Sequence, residues 1–148
     1  MNLQKRTIFR TLAAAGVLAV VSACSNMPGM MAPGAQSITM SGANEVPPVT
    51  TSAAGTGTVT INPTDKSVSA KITLTGMTAT AAHIHMAAAG ANGPVIVPFT
   101  KTADNVFEAA PGAKLTDAQY DALKAGNLYV NAHSAANPGG EVRAQLKP

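Results

Sequence analysis

Large aromatic side chains are scarce: the 148 residues include no tryptophan, two tyrosines and three phenylalanines. A core built from this chain has to be thin and filled mainly by small aliphatics, so a β-rich domain is expected. Cysteine is nearly missing as well. Cys24 is the only one, which excludes a disulfide within the chain. Beyond Cys24 there is no Ser/His/Asp spacing, no phosphate-cradling glycine loop and no free thiol, so nucleophilic and phosphoryl-transfer chemistry have no visible apparatus. The uncharged stretch from Thr11 to Ala23 is too short to span a bilayer stably.

That stretch does follow Lys5, Arg6 and Arg10, and a basic start before a short apolar run is the layout of a signal peptide. It ends in Val21-Ser22-Ala23-Cys24, an aliphatic residue and two small residues before cysteine, which resembles the lipobox of bacterial lipoproteins. Cleavage before Cys24 is therefore expected, with residues 1–23 removed and Cys24 lipidated, tethering the chain to a membrane outside the cytoplasm. An ordinary signal peptide with an incidental cysteine, or a transmembrane anchor, are the alternatives. Ser25 stands where inner-membrane retention would usually want aspartate, which points to the outer membrane, facing the periplasm.

Removing the signal takes three of the ten basic residues and none of the seven acids, leaving zero net charge. No basic stripe interleaved with aromatics remains, so nucleic acid is not an expected partner. Residues 24–35 are rich in methionine, proline and glycine without periodicity and read as a flexible linker. Met27, Met30 and Met31 lie close together there; their thioethers can bind Cu(I), or they are chance residues of a spacer.

Residues 36–148 make one domain. Residues 56–61 alternate, residues 62–65 (Asn-Pro-Thr-Asp) signal a turn, and Val68, Ala70, Ile72 and Leu74 recur at every second position, which predicts a hairpin with one buried face. Further strands are predicted over 37–41, 81–86, 95–99, 105–109, 127–133 and 141–147. The fold class is mainly β, a sandwich or barrel. Residues 115–126 break the pattern and predict one short helix lidding an end of the sheet, with Thr116 and Gln119 as a capping box and Gly126 as its terminator.

The three histidines carry the chemistry that is left. His83 and His85 are two apart on a predicted strand and share a face, with Ile84 on the other. His133 ends another strand, on which Leu128, Val130 and Ala132 fall on one face and Tyr129, Asn131 and His133 on the opposite one. If the aliphatics face the core, all three imidazoles face outward, where a metal would stay accessible to solvent or a partner. Three histidines suit copper or zinc, copper before zinc here, with an open position for water or a thioether such as Met86 or a linker methionine. The competing reading makes them polar-face residues bonded to neighbours. Glu45, Glu141 and Arg143 form a second polar set, read as a structural ion pair pinning the N-terminal segment rather than as catalytic groups.

Four motifs in order resemble the CHRD domain family, named for its occurrence in chordin: Ser41-Gly42-Ala43-Asn44-Glu45-Val46-Pro47-Pro48, Ala82-His83-Ile84-His85, Gly90-Ala91-Asn92-Gly93-Pro94-Val95, and residues 126–143 with their Asn137-Pro138-Gly139-Gly140 turn. The resemblance covers about residues 36–146 and implies an extracellular or periplasmic β-rich module with no settled reaction. A fainter resemblance links His83, His85 and His133 to part of the copper set of copper/zinc superoxide dismutase, without its further histidine ligands, zinc subsite or disulfide, and implies an Ig-like or superoxide-dismutase-like β-sandwich or barrel. The expectation is thus a lipid-anchored envelope module holding one copper ion for copper handling or electron transfer, with enzyme activity left open and leaning to none. A metal-free structural or protein-binding module with an envelope protein partner is the alternative, and a copper oxidoreductase the second alternative.

Overall fold

A computed structural model describes residues 34–148 of the chain. Eight strands carry it: β1 (Ala35–Ser41), β2 (Ala54–Ile61), β3 (Val68–Thr75), β4 (Ala79–Met86), β5 (Val95–Ala103), β6 (Val106–Ala109), β7 (Leu128–Ser134) and β8 (Val142–Gln145). Each predicted strand is present, several extended by a few residues. Of the two expected architectures the chain takes the barrel, closed in the order β1-β2-β3-β6-β5-β4-β7-β8 with every neighbouring pair antiparallel. The β4-β5-β6 meander lies between β3 and β7, so chain neighbours β3 and β4 are not sheet neighbours.

The alternation that predicts β3 is obeyed residue by residue: Val68, Ala70, Ile72 and Leu74 are buried and the four residues between and after them are exposed. With Val59, Ile84, Val130 and Val142 they fill the barrel, around Phe107 as the one large aromatic of the interior. The helix α1 (Asp117–Lys124) starts at the predicted cap, where Gln119 N donates to Thr116 Oγ1 at 3.2 Å and Thr116 N donates to Gln119 Oε1 at 2.9 Å. It ends at Gly126 with φ of +74°, and Leu115 and Leu123 bury it on the barrel core.

One expectation changes. The outward face of β4, β7 and β8 is not a solvent face, since Tyr129, Asn131 and Arg143 are each only 2% exposed. Two segments without regular periodicity cover it. Residues 42–48 begin with a 3-10 turn, Gly42–Asn44, and are tied down by Asn44 Nδ2 donating to the Arg143 carbonyl at 3.1 Å. Residues 87–94 loop back and join the first segment through Asn92 Nδ2, which donates to the Val46 carbonyl at 2.7 Å. A second, polar interior thus lies outside the barrel wall.

Candidate metal centre

Register sets the three imidazoles side by side. His83 is paired with Asn131, His85 with Tyr129 and Ala81 with His133, so His133 sits diagonally beside His83 on the same face. A register shift in the β4–β5 ladder between Ile84 and His85 bends the sheet at this point. The ring centroids of His83 and His133 are 4.9 Å apart, and those of His83 and His85 5.5 Å. One ligand atom from each histidine lies within 4.8 Å of the other two, close enough for modest side-chain rotation to seat one ion. His133 therefore does come beside the His83–His85 pair, which spacing alone leaves open, in a half-covered recess rather than on an open surface.

Hydrogen bonds decide which nitrogens are available. His85 Nδ1 lies 2.9 Å from the Gly93 carbonyl and His133 Nδ1 3.0 Å from the Pro138 carbonyl. A carbonyl only accepts, so both Nδ1 atoms carry the hydrogen and both Nε2 atoms keep a lone pair. Carbonyl acceptors behind a ligating histidine are the outer-shell arrangement that orients metal sites. His83 Nδ1 lies 3.0 Å from His133 Nε2 and donates to it in the metal-free protein. Two nitrogens bound about 2.0–2.1 Å from one ion would stand roughly 3 Å apart, so this pair is already spaced as ligands. Buried His85 Nε2 has no partner at all.

Burial and mutual repulsion keep the imidazoles neutral. His83 is pushed down to about 4, first by burial and then by the charges of His133 and His85. Burial also lowers His85, against the raising effect of the Gly93 carbonyl and Asn131, and lowers His133 against the Pro138 carbonyl. Neutral imidazole is the form that binds metal.

The surroundings are built tightly. The His85 ring stacks on Tyr129 at 4.9 Å and 8°, and the Arg143 guanidinium lies over the Tyr129 ring at 3.4 Å. Tyr129 Oη accepts from Gly93 N at 3.2 Å, fixing the residue whose carbonyl holds His85. At Gly93 a Cβ would fall 2.0 Å from the Met86 carbonyl oxygen, so only glycine lets this strand end and the loop approach so closely.

The predicted ion pair among Glu45, Glu141 and Arg143 is not made as a direct contact. Arg143 instead donates to Asn92 Oδ1 at 3.1 Å and the Ala91 carbonyl at 2.8 Å, pinning the 87–94 loop. Glu141 takes the hydroxyls of Ser134 and, at 2.8 Å, Thr51, and the Ser134 bond foremost holds its carboxyl below the usual range. Glu45 is 4% exposed and feels Arg143 only through space, while burial pushes its carboxyl up. Residues 42–51 meet this set through other bonds, Asn44 donating to the Arg143 carbonyl and Thr51 to Glu141. Met86 is not beside the histidines: its side chain packs against the barrel core with Ile84. Cys24, Met27, Met30 and Met31 lie outside the described residues. Sequence reasoning missed Asn131 and Tyr129 as parts of the site, although the alternation that placed His133 outward placed them there too.

The family model for the CHRD domain matches residues 36–146. The chain belongs to the CHRD domain family. No curated protein and no solved structure matches it. The four motifs that resemble the family build the recess: 41–48 and 90–95 cover it, and 82–85 and 126–143 furnish its histidines and its floor.

Proposed function

We propose that this CHRD module binds one metal ion through His83, His85 and His133, and that the ion is copper. The observation that carries the reading is the trio of convergent neutral imidazoles, two of them oriented by Nδ1–H bonds to backbone carbonyls. Divalent copper stands at the top of the affinity order for nitrogen sites, which favours it over zinc at equal availability. A half-covered site of neutral imidazoles suits copper holding or electron transfer better than turnover. We further propose that the module works in the cell envelope, tethered through lipid on Cys24, where its neutral domain and short linker would keep it at the membrane surface.

Metal analysis and EPR on protein isolated from the envelope test the reading. One copper per chain is expected, and none above background in the His83→Ala/His85→Ala/His133→Ala protein. Equal copper retention by that triple variant would overturn it. A folded wild-type protein that holds no metal but captures an envelope protein would instead favour the metal-free binding module.

A further inference from the structure

Among the described residues, three buried side-chain atoms have no hydrogen-bond partner: Glu45 Oε1, Asn131 Oδ1 and His85 Nε2. They belong to one cluster. Asn131 is the cross-strand partner of His83 on one side and of Arg143 on the other, and lies two residues before His133 on the same face. Its side chain neighbours both His85 and Glu45.

The orientation of that amide follows from its neighbours. A Cβ at Gly140 would sit 2.6 Å from Glu45 Oε1 and 2.7 Å from Asn131 Nδ2, so the carboxyl and the amide nitrogen face the same small space. Nδ2 is the amide atom on the Glu45 side, where it can donate to a carboxyl oxygen, which leaves Oδ1 on the side of the imidazoles. His85 has spent its hydrogen on the Gly93 carbonyl, which leaves its buried Nε2 with a lone pair and no partner. Two buried acceptors with no donor between them are costly to leave as they are, and a cation relieves both at once.

We propose that Asn131 Oδ1 is a fourth ligand of the metal site, completing a set of three imidazole nitrogens and one amide oxygen, and that Glu45 is the positioning residue that aims it. The proposal rests on the three-histidine reading and adds a consequence to it. A hard oxygen donor supports Cu(II) or Zn(II) and does little for Cu(I), so Asn131 sets which oxidation state the site holds best.

The test titrates the protein with Cu(II) and, separately, with Cu(I), each against a competing chelator, and records EPR and the visible d–d band of the Cu(II) form. Asn131→Ala is expected to weaken Cu(II) binding about 10–100-fold, to leave Cu(I) affinity within about threefold, and to move both spectra. Glu45→Gln, which can itself donate and so release the amide, should reproduce part of the spectral change. Pairing it with Asn131→Asp exchanges donor and acceptor, keeps an oxygen toward the metal, and should restore Cu(II) affinity. Unchanged Cu(II) spectra and affinity in Asn131→Ala would overturn the proposal. So would equal loss of Cu(I) and Cu(II), which marks a structural role, or a folded double variant without recovery. If wild-type protein binds no copper, or the histidine variants bind it as well as wild type, it is the three-histidine reading that has failed.

Discussion

At the scale of single residues, the site is governed by what its neighbours leave unsatisfied. The three imidazoles are held neutral by burial, and the sign of the resulting pH dependence is fixed. In the unfolded chain His83 takes a proton near 6.5, whereas in the folded protein it resists until about 4. Between those values the unfolded state binds more protons, so stability is fully present above about 6.5 and falls on acidification toward 4. Thermal melts of the metal-free protein should show that decline, and His83→Gln should flatten it; an unchanged slope in the variant would contradict the assignment. Gly140 is the second residue whose identity follows from local geometry. With φ of +139° and Glu45 Oε1 only 2.6 Å from any Cβ, Gly140→Ala is expected to cost about 1–3 kcal/mol in denaturant unfolding. It should also disturb copper binding, because the same Cβ would push Asn131 Nδ2.

At the scale of elements, periodicity made most of the fold legible. Val68, Ala70, Ile72 and Leu74 announce a strand because a pleated chain exposes alternate faces, and nothing distant needs to be known for that. Thr116 and Gln119 announce a helix start for the same reason, since a capping box is completed within four residues. Losing it should cost about 1 kcal/mol in Thr116→Ala, measured by denaturant unfolding. Copper per chain should be unchanged, because α1 contributes nothing to the recess; reduced copper would mean that the helix end of the barrel and the site are coupled. The segments 42–48 and 87–94 are different in kind. They have no period, and only their hydrogen bonds to Arg143 and to one another reveal that they roof the histidine face. That is why the imidazoles were expected on an open surface, and why Arg143 was expected to seek a carboxylate. In a recess closed by backbone carbonyls and a tyrosine ring, those groups surround it first.

At the scale of the whole molecule, barrel closure is what brings the strands of the site together. β4 and β7 are 41 residues apart from the end of one to the start of the other, yet they share the longest ladder of the histidine face. The ring is completed between β1 and β8 at the Ser41–Arg143 pair. The anchoring proposal makes its own prediction at this scale. Cys24→Ser should move the protein from the membrane fraction to the soluble fraction of the envelope without changing copper per chain. Persistence in the membrane fraction would point to the transmembrane alternative.

The amino-acid sequence by itself determined the β class, the capped helix, the outward pairing of His83 with His85 and the face on which His133 lies, because all of these follow from chain-local alternation and spacing. Only the tertiary structure decided that the sheet closes into a barrel, that His133 reaches the other two and that Arg143 stacks on Tyr129. Those outcomes depend on which strands become neighbours and on what two aperiodic segments cover, and contacts between residues 40 to 100 positions apart leave no local period to read.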